Sequence, residues 1–233
     1  MDDKSACPEF VQLFRAVAGA EEKVAVPLLT HGSVGLIDSW VICEYIQEAL
    51  PGPQLMPATA SRRASVRYIS ELFRTRLGPG ASGGVHALLA ARNYGELERA
   101  QRLHLAALQA LQAGLEIHST GEGPFVDGAE WSLAETLAAP WLTRMHMLLP
   151  VCRGLNTIEL AQQAGLTRVV EWIQAVIERP SVYSSTPAVE DVQRVWANCI
   201  PQWDEAKQEV DRSQNNFEAS KVQLAGLLGK LRP

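Results

Sequence analysis

The chain has 233 residues, 47% apolar and 20% charged, a composition that suits a globular protein of one or two domains with a sizeable core. A formal net charge of −5 without a dense Lys/Arg cluster argues against nucleic acid or an anionic membrane surface as the main partner, because both need concentrated positive charge. The acidic start MDDKSACPEF lacks an apolar leader core, and no run approaches the roughly 18 apolar residues of a spanning helix. A soluble, cytoplasmic protein is therefore expected.

The first periodic segment is PEFVQLFRAVA, residues 8–18, with Phe10, Val11, Phe14 and Val17 on one helical face. Next comes KVAVPLLTHGSVGLIDSW, residues 23–40: two short β-rich runs joined by a His-Gly-Ser turn. Pro27 stands inside the first run, although proline has no ladder donor and is normally kept out of strand interiors. Asp38-Ser39 then opens a helix to about Leu50 with Val41, Ile42, Tyr45 and Ile46 on one side, and either residue can serve as its cap. Three prolines in PGPQLMPATA punctuate the chain. We divide it into a short mixed α/β segment (1–52), a linker (53–60), a long helical segment (61–202) and a partly helical C-terminal extension (203–233).

In the helical segment, Val66, Ile69, Leu72, Phe73 and Leu77 form one apolar stripe. The stretch GPGASGG, residues 78–84, lacks the Lys and Ser/Thr of a phosphate loop and follows a helix, so it reads as a flexible interhelical connection. A second pattern runs to about Ile117 with Leu97, Leu105, Leu108, Leu111 and Leu115 inward. Ser132-Leu133-Ala134-Glu135 fits a capping box. The helix it opens contains Pro140, which costs about 3 kcal/mol unless something compensates. Val169, Val170, Ile173, Val176 and Ile177 mark a helix ending at Arg179-Pro180, and in the extension Val222, Leu224, Leu227, Leu228 and Leu231 mark an amphipathic one. Cys7, Cys43, Cys152 and Cys199 are too scattered for a zinc site or disulfide framework. His104, His118 and His146 lack carboxylates at ligand spacing and read as surface or core-edge groups, so no metal is expected.

Several of these pieces, in this order and spacing, resemble the glutathione transferase family. They are Val26-Pro27-Leu28-Leu29, then Ile37-Asp38-Ser39 with Ile42 and Tyr45-Ile46, then Leu55-Met56-Pro57. Further along they are residues 123–128 (GPFVDG), Ser132-Leu133-Ala134-Glu135 with Pro140 and Arg144, and Trp172 with residues 178–182 (ERPSV). The family usually has Asp where this chain has Glu135.

The resemblance implies a mostly α fold: an all-α helical domain of the family's C-terminal type, preceded by an incomplete thioredoxin-like α/β domain. It implies a cis Pro27, with the backbone of Val26 presented to the cysteinyl part of glutathione, and Asp38 and Ser39 holding the γ-glutamyl end. Glutathione would be the co-substrate, an electrophile or disulfide the second substrate, detoxification the setting and a homodimer the assembly. Trp196 and Tyr68 are aromatic candidates for the second-substrate pocket.

The residue that activates the glutathione thiol in the family lies in a first β-α-β unit. Pro27 comes too early for that unit to precede it, since its elements need roughly twice the available length. Cys7-Pro8 looks like the Cys-Pro of the cysteine-bearing classes, and a thiolate at a helix start would be activated. Reading residues 8–18 as the family's second helix instead makes Cys7 incidental. Three readings follow: a glutathione-dependent transferase, a non-catalytic glutathione transferase-like binding or assembly module, and a shortened product of a full-length transferase.

Overall fold

The computed structural model describes residues 7–197, so Cys199 and the expected helix at residues 222–231 lie outside the described residues. Two compact units divide between Met56 and Pro57.

The first unit runs α1 (Pro8–Ala18), β1 (Leu28–His31), β2 (Val34–Ile37) and α2 (Ser39–Ala49). β1 and β2 form an antiparallel hairpin in register Leu28↔Ile37 to His31↔Val34. Its two-residue turn uses Gly32 at φ 58°, a left-handed conformation that glycine adopts without a Cβ penalty. Pro27 lies just before the strand, not inside it as the sequence suggested. The ladder starts at Leu28 because Leu28 has the N–H that proline lacks. A hairpin alone is marginal in water, and here α1 packs on β2 while α2 packs on both strands. At Gly35 a Cβ would come within 2.5 Å of Val17 Cγ2, so the missing side chain is what lets α1 approach the sheet. Phe14, Val24 and Ile42 are buried and form the unit's small core.

The second unit is helical: α3 (Ala60–Arg76), α4 (Val85–Leu89), α5 (Tyr94–His118), α6 (Leu133–Arg153), α7 (Thr157–Gln163), α8 (Thr167–Glu178), α9 (Pro180–Ser185) and α10 (Val189–Ala197). The apolar stripes read from the sequence face its core. Val66, Ile69, Phe73 and Leu77 of α3 are buried with Leu108, Leu111 and Leu115 of α5, while Leu72 is only half-buried. Trp172 of α8 is fully buried, edge-on to Phe73 at 6.1 Å between ring centroids. α6 begins at the capping box: the Ser132 amide donates to Glu135 Oε2 at 2.9 Å, and Ser132 Oγ accepts from the Ala134 amide at 3.2 Å. At its far end Arg153 donates to the carbonyls of Leu88, Leu89 and Ala91, which follow or end α4 and have lost their helical partners.

Two sequence expectations are corrected here. The GPGASGG stretch does connect helices, but Gly83 and Gly84 are buried in packing instead of forming a loose loop. A Cβ on Gly83 would lie 2.8 Å from the Arg76 carbonyl and 2.9 Å from that of Leu103. His104, expected near the surface, is wholly buried beneath that stretch. One ring nitrogen, Nδ1, is 2.6 Å from the Gly83 carbonyl, and Nε2 is 3.1 Å from Thr157 Oγ1. Both nitrogens are satisfied by polar partners, which is the condition on which a buried imidazole is tolerated. Burial pushes its pKa down to about 4, against a smaller upward pull from the Gly83 carbonyl.

Candidate functional site

The hairpin register pairs Leu28 with Ile37, so the residues just outside it, Pro27 and Asp38, come to the same open end. There the Val26–Pro27 peptide is cis, as the resemblance implies. Val26 is 63% exposed, and Pro27, Asp38 and Ser39 are exposed as well. The end of the hairpin thus offers a bare stretch of backbone on one strand and the N-terminus of α2 on the other.

Asp38 is the N-cap of α2. Its Oδ1 accepts from the Trp40 amide at 2.8 Å and from the Val41 amide at 3.4 Å, meeting two of the donors that a helix start leaves orphaned. Oδ2 makes no hydrogen bond among the described residues, nor does the Ser39 hydroxyl. The backbone of Asp38 has φ 75° and ψ 117°, and it is the one non-glycine residue at positive φ among the described residues. An aspartate held there costs on the order of 1–3 kcal/mol, which the surrounding structure must offset. One turn into the helix, burial and then the negative charge of Asp38 push the Cys43 thiol up, keeping it protonated.

Cys7 is exposed at the start of α1 and its side chain caps no helix amide. Its thiol donates to Glu9 Oε2 at 2.7 Å, and that bond holds the Glu9 carboxyl below its usual range. The helix that follows packs on β2, with Val17 against Gly35.

The helical unit places the second set of motif residues around one loop, residues 119–131. Glu135 is wholly buried and its two oxygens accept four hydrogen bonds. Oε1 takes the Val126 amide and the Trp172 indole N–H, both at 2.8 Å, and Oε2 takes the Ser132 amide at 2.9 Å and the Ser132 hydroxyl at 2.5 Å. Sequence reading found the box but not these long-range partners. It missed two arginines as well. Arg62 donates to Asp127 Oδ1, the His118 carbonyl and the Val126 carbonyl at 2.9, 2.9 and 2.6 Å. Arg168 donates to the carbonyls of Pro124 and Phe125 at 2.8 and 3.0 Å, and burial sets its pKa below the usual range against a smaller upward pull from the charges of Glu171 and Glu135. Nothing in the local pattern marks either residue, because their partners lie about 45 to 65 positions away in the chain.

Among the described residues no three His, Cys, Asp or Glu side chains gather where a metal ion could sit, and no helix is long and apolar enough to cross a membrane. Of the two aromatic candidates, Trp196 lines a cavity of the helical unit, whereas Tyr68 is half exposed with its ring 4.3 Å from that of His118.

No protein-family profile matches the chain. Among curated proteins it is similar to maleylacetoacetate isomerase of Mus musculus, 29% identical over 115 residues, 49% of this chain and 51% of the relative. It is also similar to glutathione S-transferase omega-2 of Rattus norvegicus, 30% identical over 159 residues, 67% of this chain and 57% of the relative. The chain therefore spans little more than half the length of the curated relatives it matches. Among solved structures, glutathione transferase Omega 3C from Trametes versicolor shares the fold with a TM-score of 0.60 at 23% identity, over 80% of this chain and 72% of that one. The architecture is that of an incomplete thioredoxin-like domain followed by an all-α helical domain. With Asp38 at the hairpin end, Glu135 in its box and these relatives in agreement, the chain is glutathione transferase-like in sequence and fold.

Proposed function

We propose that the open end of the hairpin binds glutathione and that the protein works in glutathione-dependent thiol transfer to an electrophile or a disulfide. The observation that carries this reading is the division of labour within Asp38: Oδ1 is spent on the cap of α2 and Oδ2 is not. A γ-glutamyl group has an ammonium that pairs with Oδ2 and a carboxylate that suits the Ser39 hydroxyl and the amides at the helix start. The exposed backbone of Val26, beside Pro27, offers an N–H and a carbonyl to the cysteinyl residue in the manner of an added strand. The strained backbone of Asp38 is in keeping with a site whose geometry is held in place before the ligand arrives.

Thiol transfer also needs a group that favours the glutathione thiolate. Cys7 is the candidate in this chain, at the start of a helix with its thiol donating to Glu9. A non-catalytic binding module, the second reading, shares the glutathione site and differs only in turnover. The reading places the protein in the cytoplasm with reduced thiols, in a detoxification role, and as a homodimer.

Retention on immobilised glutathione tests the binding. The unaltered chain is expected to be retained and the Asp38→Asn, Ser39→Ala double variant to pass through; an unaltered chain that passes through sinks both readings. Transfer assays then separate them, with Cys7→Ala expected to abolish turnover if Cys7 is the nucleophile and to leave it unchanged if the thiol activator lies elsewhere.

A further inference from the structure

α10 is lightly held. None of its residues is buried, and Val189 and Val195 are 39% and 68% exposed. It packs on α6, where Val192, Val195 and Trp196 form part of one wall of a cavity of about 580 Å³. Trp196, near the end of the helix, leans on His86 of α4, with ring centroids 4.8 Å apart and planes tilted by 35°. His86 also meets Trp141 of α6, at 5.5 Å and 50°. The guanidinium of Arg144, about one turn further along α6, lies 4.9 Å from the centroid of the same Trp141 ring. Four side chains from three helices thus make one pile, in which His86 joins α10 to the body of the unit.

The two ends of the pile differ in rigidity. Val85, Leu88 and Leu89 of α4 are buried and Arg153 holds the carbonyls at its end, whereas α10 has no such anchors, so a change in the stack falls on α10. His86 is exposed and makes no hydrogen bond among the described residues, which leaves its ring held by its faces and its nitrogens open to protons. Arg144 is the charged group that acts on it. On α6, Glu135 is saturated in its box, Arg153 is bound to α4, burial keeps the Cys152 thiol protonated and His146 is exposed; on α10, Asp191 and Arg194 pair with each other and Glu190 is exposed. A proton on His86 would bring charge into a partly covered site and set two cations against one indole, Trp141. Burial first and the Arg144 charge second lower its pKa from the ordinary value of 6.5. Attraction of an imidazolium to the Trp196 ring works the other way, but is worth about 0.5–1 kcal/mol at an exposed site. The closed arrangement therefore favours neutral His86, is complete above pH 6.5 and weakens as pH falls below it.

We propose that His86 is a pH-sensitive latch: the neutral ring clips Trp196, and with it α10, against α4 and α6, and protonation releases the helix. The device lies wholly within the helical unit and does not rest on the glutathione reading.

Hydrogen–deuterium exchange of the full chain at about pH 7.5 and about pH 5.5, corrected for the intrinsic pH dependence of amide exchange, tests the latch. Acid is expected to lower the protection of α10 by at least about threefold more than that of α5, whose own response reports buried His104. His86→Phe keeps an aromatic plate but takes no proton, and should abolish the acid loss in α10. Arg144→Met should lessen that loss, and His86→Ala should leave α10 loose at both pH values. An acid loss undiminished in His86→Phe or in Arg144→Met would overturn the proposal, as would full protection of α10 in His86→Ala. So would an α10 whose protection in the unaltered chain is unchanged or higher in acid, the result expected if attraction of the imidazolium to the indoles prevails.

Discussion

Asp38 and Glu135 are both carboxylates at the start of a helix, and they illustrate two uses of the same device. Glu135 is wholly buried, and four donors from three elements saturate both of its oxygens. Asp38 is exposed, spends one oxygen on its own helix and keeps the other. A capping motif read from sequence is therefore silent about purpose until its unspent lone pairs are counted. Where all are used the cap is structural, and where one is left facing solvent a ligand can take it.

The largest expected effect comes from removing the saturated member. Glu135→Ala leaves the buried amides of Val126 and Ser132 and the Trp172 indole without an acceptor, and should cost roughly 3–5 kcal/mol in urea unfolding. A loss below about 1 kcal/mol would mean that water replaces the carboxylate easily and that the contrast with Asp38 is one of degree.

Acid provides the next effect. The folded-state pKa of His104 is depressed from the ordinary value of 6.5 to about 4, so between those values the unfolded chain binds more protons. The stability that depends on a neutral His104 is complete above pH 6.5 and is lost as pH falls toward 4. The loss should be on the order of 3 kcal/mol, seen as the difference between the pH–stability curves of the unaltered chain and His104→Gln. Parallel curves would remove the imidazole as the cause.

Arg62→Met keeps the stem but deletes three hydrogen bonds, two to the loop and one to the end of α5, and should cost about 1.5–3 kcal/mol by the same unfolding measurement. The smallest stability effect is expected at Asp38→Asn, which retains a capping oxygen and should shift unfolding by less than about 0.5 kcal/mol. That variant should still lose glutathione retention, because only the charge has gone. A large stability loss with retention preserved would reverse the roles assigned to the two carboxylates.

How far the chain could be read in advance follows from the range of each interaction. α1, α2 and the core helices were legible because their signals repeat every three or four residues, as in Phe10, Val11, Phe14 and Val17. The hairpin was legible too, from its turn glycine and the apolar runs beside it, although the proline that drew attention to it sits one residue outside. His104 was misread because a histidine in a helical pattern carries no mark of depth. Its burial depends on Gly83 and Thr157, 21 and 53 positions away. The cap at Asp38 was foreseen, but the left-handed backbone beneath it was not, since that conformation is imposed by the hairpin and α2 together and not by the local sequence.

The loop before α6 has a kinetic consequence. Its Val126 carbonyl and amide are held by residues of two different helices, Arg62 of α3 and Glu135 of α6, while Arg168 of α8 grips the neighbouring carbonyls. No single helix can fray and release it. The Val126 amide should therefore exchange with deuterium only when the helical unit opens as a whole, making it a reporter of global opening in a segment that carries no regular secondary structure.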